Sequence, residues 1–161
     1  MKPMTHEIRS KILEYKKNGL DISPLIEGVS IKGEDLRRCV IKNFNRNNED
    51  LRDTKLSYAT IGEEGKVLNI SNNNFVGSEF METKFMGKIF LRRCNCSSCN
   101  FNGAWMQNVE YQGTDFRKSD FCETVIRLGS SYGLKAKFDE NLFKDLAKHW
   151  NIQIIIKPNE E

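Results

Sequence analysis

The sequence predicts an all-β solenoid, and three observations lead there. The first is a period of five residues. Cut every five residues, the chain reads Cys94-Asn95-Cys96-Ser97-Ser98, Cys99-Asn100-Phe101-Asn102-Gly103, Ala104-Trp105-Met106-Gln107-Asn108, Val109-Glu110-Tyr111-Gln112-Gly113, Thr114-Asp115-Phe116-Arg117-Lys118 and Ser119-Asp120-Phe121-Cys122-Glu123. The second is what fills the slots. The first slot is always small or slender, the third is large and mostly apolar, and the others are mostly polar. The third is what the period excludes. Five is neither the two of a strand nor the 3.6 of a helix, so neither element explains it alone. A fixed period marks a stack of units, each burying its apolar side on the next. A short extended side followed by a corner, with one slim and one bulky side chain turned inward, would fill the axis of a narrow coil.

The slot order resembles the pentapeptide-repeat family, whose pattern is a small residue, Asp or Asn, Leu or Phe, and two variable positions. The resemblance covers roughly residues 31 to 128 and implies a right-handed quadrilateral β-helix with four pentads to a turn. On that reading residues 1–30 form an N-terminal helical cap, 31–128 the β-helix of about five coils, and 129–161 a C-terminal helix and short strand.

In the cap, Thr5 is placed to start a helix in which Ile8, Ile12 and Tyr15 share a side, with Lys16 and Lys17 near its end and Gly19 as the stop. Such a helix covers the open first coil, which otherwise exposes a strand edge and apolar core. His6-Glu7 begins like a zinc-protease helix motif, but Ser10 stands where the second histidine belongs.

From Ile31 the bulky slot runs through Leu36, Ile41, Arg46, Leu51, Leu56, Ile61 and Lys66. It continues one residue early as Ile70, Phe75, Phe80 and Phe85, then regains phase at Leu91, Cys96, Phe101, Met106, Tyr111, Phe116, Phe121 and Ile126. Sorted by fours, one side stacks Ile31, Leu51, Ile70, Leu91 and Tyr111. The next stacks Leu36, Leu56, Phe75, Cys96 and Phe116, and the third Ile41, Ile61, Phe80, Phe101 and Phe121. Coils about 4.8 Å apart let the phenylalanines form offset ring stacks.

The fourth side holds Arg46, Lys66, Phe85, Met106 and Ile126. A buried unpaired charge is too costly, so the backbone is expected to bulge around Asn45-Arg46-Asn47-Asn48 and Gly62-Glu63-Glu64-Gly65. Phe44 and Val67 or Leu68 would turn inward instead. The same side carries Met86, Trp105 and Val125 in outward slots beside the two irregular loops. Exposed Trp is favoured at binding hot spots, so the candidate partner face comprises Arg46, Asn47, Glu63, Glu64, Met86, Trp105 and Val125. The competing reading is a seat for the chain that follows.

Beyond Ile126, Gly129 and Gly133 break the repeat. A helix is expected from Asp139, with Leu142, Phe143, Leu146, Ala147 and Trp150 on one face and Lys144 and Lys148 on the other. Gln153-Ile154-Ile155-Ile156-Lys157 reads as a strand stopped by Pro158, able to extend an edge within the molecule or make a homodimer with a second copy.

Composition sets the class. The 161 residues, with 39% hydrophobic and 29% charged, suffice for one soluble domain. No apolar run reaches the roughly 20 residues of a membrane span, and the N-terminus lacks an apolar signal segment, so a cytoplasmic location is expected. Five cysteines, an odd number, fit a reducing compartment. Net charge is +3, with basic and acidic side chains interspersed, so neither a phosphate track nor an acidic DNA mimic is indicated.

The chemical motifs dissolve into the repeat. Cys94, Cys96 and Cys99 have a zinc-like density, but Cys94 and Cys99 fall in slim slots and Cys96 in a bulky one, so core packing is expected and no metal. Cys39 is also slim-slot, whereas Cys122 should face outward. His149 has no Ser, Cys or acid partner at motif spacing. Asp115 and Asp120 occupy the polar slot that the repeat always fills, and no phosphate-binding glycine loop occurs. No catalytic residue and no cofactor is expected. The reading that results is a non-enzymatic rigid scaffold for an unidentified protein partner. Resemblance to the quinolone-resistance members implies an alternative, binding to a topoisomerase such as gyrase by mimicking duplex DNA, but their negative surface is missing. An enzyme with an unrecognised site is the third class.

Overall fold

Backbone pairing traces the coil. In the computed structural model, which describes residues 1–126, 133 and 135–139, each strand pairs in parallel with the one a turn later. The sheet path runs through β1 (Val40–Ile41), β2 (Thr60–Asn69), β3 (Lys84–Phe90), β4 (Trp105–Met106) and β6 (Val125–Ile126), and β5 (Val109–Glu110) also pairs with β3. Two further sides stack through single parallel bridges. One joins Asp35, Lys55, Glu79, Asn100 and Asp120, the other Asp50, Asn74, Asn95, Asp115 and Lys137.

These registers define four columns of bulky residues. They are Leu36, Leu56, Phe80, Phe101 and Phe121; Ile41, Ile61, Phe85, Met106 and Ile126; Arg46, Ile70, Leu91 and Tyr111; and Ile31, Leu51, Phe75, Cys96, Phe116 and Phe138. The bulky residues up to Phe121 are buried, and the phenylalanines stack as the spacing demands. Phe101 lies 4.8 Å from Phe80 at 3° and 5.1 Å from Phe121 at 8°.

The columns differ from the sequence reading beyond Ile61, because Lys66 is not a core position. It lies in an exposed insertion within β2, where the register shifts between Gly62 and Val67. The step from Ile61 to the next bulky residue, Ile70, is therefore nine residues, and every later centre moves one side round the coil. Removing this false pentad leaves about four complete turns, Ile31 to Phe116, rather than five. Leu68 and Phe44 do turn inward, whereas Val67 is 55% exposed.

One residue is also added in the next coil, at Gly87, directly over the insertion. A Cβ on Gly87 would overlap the carbonyl oxygen of Glu63 and lie 2.6 Å from that of Lys66, and one on Gly62 would overlap the Met86 carbonyl. Both glycines have positive φ. The two departures from the pentad are thus one feature, a four-residue loop seated on a glycine.

The slot grammar has a physical basis at each position. The slim side chain donates a hydrogen bond to the carbonyl of a bulky residue in the coil below: Thr54 to Ile31 at 3.0 Å, Ser78 to Leu51 at 3.0 Å, Thr83 to Leu56 at 2.8 Å, Ser119 to Cys96 at 2.7 Å and Thr124 to Phe101 at 2.6 Å. Such buried carbonyls need a donor. The bulky residue's own carbonyl accepts from the N–H three residues on, closing the corner, as Leu56 does from Ala59 and Phe101 from Ala104. On three sides of the coil the fifth slot adopts positive φ, from Arg38, Tyr58 and Glu82 to Ser98 and Lys118. The Asp or Asn of the second slot accepts from the N–H two residues on, as in Asp35 to Arg37 at 3.1 Å and Asn100 to Asn102 at 2.9 Å.

Where Arg follows that Asp by two, a fork closes over the corner, as in Arg37–Asp35, Arg52–Asp50 and Arg117–Asp115. The Arg37 guanidinium holds the Asp35 carboxyl at about 2, and the corresponding arginines hold Asp50 and Asp115 below the usual range. Carboxyls depressed in the fold contribute stability above their unfolded pKa, near 4, and lose it as pH falls through the folded value. The melting temperature is therefore expected to stay flat from about pH 7 to 5 and to decline between about pH 4 and 2. Exposed pairs contribute little each, so the decline is modest, and calorimetry across that range would reveal it.

The N-terminus closes the first coil. α1 (His6–Lys17) is capped by the Thr5 hydroxyl, which accepts from Ile8 N at 3.2 Å, and buries Ile12 with Ile8 and Tyr15 beside it. α2 (Ser23–Ile26) follows, and the stacking already begins at Asp21, which bridges to Val40. Arg46 corrects the expected bulge. Its side chain stays in the core column, only 5% exposed, because Nη1 donates to Glu49 at 2.6 Å and to Val29 O at 3.1 Å while Nη2 donates to Ile26 O.

At the other end the repeat reaches further than Ile126. Lys137 bridges to Asp115, Phe138 stacks on Phe116 at 5.1 Å, and Gly133 lies close against the Tyr111 ring. The helix expected beyond Asp139, His149 within it, and the strand Gln153-Ile154-Ile155-Ile156-Lys157 lie outside the described residues.

Candidate functional site

Side-chain alternation along β3 and its neighbours builds the most distinctive surface. Phe85 and Ile89 point inward, which sends Lys84, Met86, Lys88 and Phe90 outward. Lys84 pairs with Trp105 on the next coil and Trp105 with Val125 on the one after, so all three stand in one outward column. Trp105 is 46% exposed and Val125 40%. Met86 is half-buried beside Gly62, at the root of the loop. Met86, Trp105 and Val125 therefore share one side, as the outward slots require.

The other expected members separate. Glu63 and Glu64 lie in the exposed loop, where Lys42 holds Glu63 at 3.0 Å. Arg46 is buried on the adjoining side and belongs to the core, and Asn47 lies beside it with its carboxamide accepting from Ser71 N at 3.1 Å. Neither joins the Trp105 surface.

Sequence reasoning missed a second cluster beside the loop. Lys88 Nζ lies 5.1 Å from the Phe90 ring centre and the Arg92 guanidinium 4.1 Å. Both cations bind Glu110, Lys88 at 2.8 Å and Arg92 at the other carboxylate oxygen. Burial alone would push the Glu110 carboxyl up, but hydrogen bonds from Lys88 and Arg92 outweigh it and hold it below its ordinary value. The alternation Lys84, Met86, Lys88, Phe90, Arg92 was the available signal, hidden by the extra residue at Gly87.

The thiols make no site. Cys94 and Cys99 act as slim-slot donors, to Ile70 O at 3.2 Å and Phe75 O at 3.0 Å. Cys96 fills a bulky slot, where burial pushes its thiol well up, and burial likewise lifts Cys39 to about 11. All five cysteines are free, with Cys122 exposed. Among the described residues no group of three or more Cys, His, Asp or Glu side chains is placed to hold a metal ion. Serine can do what Cys94 and Cys99 do, so Cys94→Ser and Cys99→Ser are each expected to change stability by less than about 1 kcal/mol. Cys96→Ser places a hydroxyl among aromatic rings and is expected to cost about 1–3 kcal/mol in urea melts.

A parallel solenoid with four flat sides per turn, each built by one five-residue unit, is the class of protein this geometry defines. Residues 91–125 match the family described as "Pentapeptide repeats (8 copies)". Among solved structures the chain is similar to the pentapeptide-repeat protein Rfr23 of the cyanobacterium Cyanothece 51142, at 20% identity and a TM-score of 0.34. That likeness covers 66% of this chain and 61% of Rfr23, so the chain spans about three-fifths of that relative's length. It is also similar to a pentapeptide-repeat protein of the Arabidopsis thaliana thylakoid lumen, at 11% identity, 79% and 80% coverage and a TM-score of 0.31. A third is QnrB1 in a trypsin-treated form, a plasmid-mediated fluoroquinolone resistance protein, at 12% identity, 79% and 87% coverage and a TM-score of 0.30. No curated protein matches the sequence. No described helix is long and apolar enough to cross a membrane.

Proposed function

We propose that the protein is a non-enzymatic scaffold whose rigid coil presents one side to a protein partner. The observation that carries this reading is the exposed pair Trp105 and Val125 on adjacent coils, with Met86 and the 62–66 loop alongside. Hydrogen-bonded corners and a stacked core fix these side chains beforehand, so docking costs little ordering entropy. A large aromatic flanked by aliphatic groups is the composition of a binding hot spot.

The test is capture of a partner from lysate by the full chain, Trp105→Ala, and a deletion of residues 63–66. Loss of about 2 kcal/mol, some thirtyfold in affinity, is expected for Trp105→Ala. Recovery undiminished in both variants would remove this face from consideration. The topoisomerase alternative rests on resemblance, and the net charge of +3 weighs against duplex mimicry. No inhibition of gyrase supercoiling is expected.

A further inference from the structure

We infer that two copies of this chain associate antiparallel through the side that carries Lys55 and Glu79, together with the corner after it. The basis is the division of charge along that side. Its outward column runs Asp35, Lys55, Glu79, Asn100 and Asp120, and the corner that follows runs Arg38, Tyr58, Glu82, Gly103 and Glu123, one residue of each to a coil. α1 ends beneath the first of these coils, where Lys16 acts on the Asp35 carboxyl. The N-terminal half therefore presents Lys16, Lys17, Arg38 and Lys55, with Asp35 already closed in its fork with Arg37. The C-terminal half presents Glu79, Glu82, Asp120 and Glu123. None of the cations or acids in these two sets forms an ion pair among the described residues.

A side with cations at one end and acids at the other complements itself when a second copy is turned end for end. A twofold axis crossing it midway between Lys55 and Glu79 sets Lys55 of each copy against Glu79 of the other. The same axis brings Tyr58, which is 42% exposed, over the half-buried Met81, and the end of α1 opposite Asp120 and Glu123. Arg38 leans over the Tyr58 ring and Glu82 along Gly103, so Arg38 of one copy comes within reach of Glu82 of the other. At the borders Lys84 lies level with Thr60 of the other copy and Asp53 with Gly77, so neither opposes a like charge. Lys118 stands beside Asp139, whose carboxylate accepts from its N–H. A partner of one sign, nucleic acid included, would match only half of this side. The side is about 24 Å long and one pentad wide, small for an interface, so a weak dimer with Kd on the order of 10–100 µM is expected. It adjoins the Trp105 side and leaves it open.

Sedimentation velocity of the full chain is expected to show a dimer that builds up with concentration and weakens at least about tenfold when salt rises from about 50 to 500 mM. Lys55→Glu and Glu79→Lys should each weaken self-association by about tenfold or more, because each sets like charges together twice. An equimolar mixture of the two variants should dimerise as the parent does, since both contacts then join opposite charges again, and that recovery also shows both variants to be folded. Lys17→Glu and Glu123→Lys, both exposed, repeat the exchange at the two ends of the side. Arg93→Glu, on the diagonally opposite corner, alters net charge as much as Lys55→Glu and should leave the dimer unchanged. A chain still monomeric at about 1 mM in low salt would overturn the inference. So would a dimer indifferent to the charge reversals, one weakened equally by Arg93→Glu, or two pairs of variants that both fail to associate on mixing.

Discussion

Phe101→Asp is expected to leave no cooperative unfolding transition at 25 °C. Phe101 is fully buried, lies face to face between Phe80 and Phe121, and meets Phe116 edge-on at 5.6 Å. Removing the ring alone costs about 3–5 kcal/mol. The carboxylate then either desolvates or takes a proton far above its ordinary pKa, adding several kcal/mol more. Against a typical stability of about 5–15 kcal/mol, the sum consumes most or all of it. Gln107→Asp, on an exposed corner, is expected to stay within about 0.5 kcal/mol of the parent. Circular dichroism in urea separates the two, and coincident curves would contradict the assignment of Phe101 to the axis. Phe101→Leu gives the intermediate case at about 1–2 kcal/mol, because Leu36 and Leu56 already fill the same column.

That column was legible because its members obey the period whatever the numbering of coils. Phe80, Phe101 and Phe121 lie 21 and 20 residues apart, close to one turn, so their stack survives an error elsewhere. Its match to the earlier coils did not survive: Phe80 stacks over Leu36 and Leu56, not over Ile41 and Ile61. Counting Lys66 as a centre satisfied the five-residue rhythm on paper, but an insertion at a corner costs the core nothing, so the rhythm carries no signal of it. Gly62, Gly65 and Gly87 were the trace: the first two flank a turn, and the third is where another coil must receive it. The hydrogen bonds of the slim slot were equally hidden. Sequence shows that the slot is small, whereas only the stacking shows that Ser, Thr and Cys recur there to satisfy a carbonyl some 23 to 27 residues earlier.

The outward slots were read more faithfully than the residues around them. Trp105, Val125 and Met86 were assigned outward from slot position, and slot position is a local property. Arg46 was assigned by exclusion, on the argument that a buried guanidinium lacks partners. Glu49 is a local partner, but the Ile26 and Val29 carbonyls come from the chain that precedes the repeat, so no local pattern announces them.

Arg46→Met is therefore expected to destabilise the protein by about 3–5 kcal/mol, although methionine is the more apolar residue. Apolar replacement of a buried ion pair can be neutral when both charges go and the space refills. Here the guanidinium also satisfies the Ile26 and Val29 carbonyls, at the end of α2 and just beyond it. Methionine leaves the Val29 carbonyl without a donor and the Ile26 carbonyl with the Val29 N–H alone, and an unmet acceptor costs about 1–3 kcal/mol beside the loss of the ion pair. Glu49, 20% exposed, can regain water, so Glu49→Gln should cost only about 1 kcal/mol. The double variant Arg46→Met with Glu49→Gln should be no worse than Arg46→Met alone, since the pair energy is lost once. Because the bonds run from the first coil to the cap, hydrogen exchange should quicken most in α1 and residues 21–30. A melting temperature unchanged or raised in Arg46→Met would show that the column prefers an apolar group there and that the cap is held by packing alone.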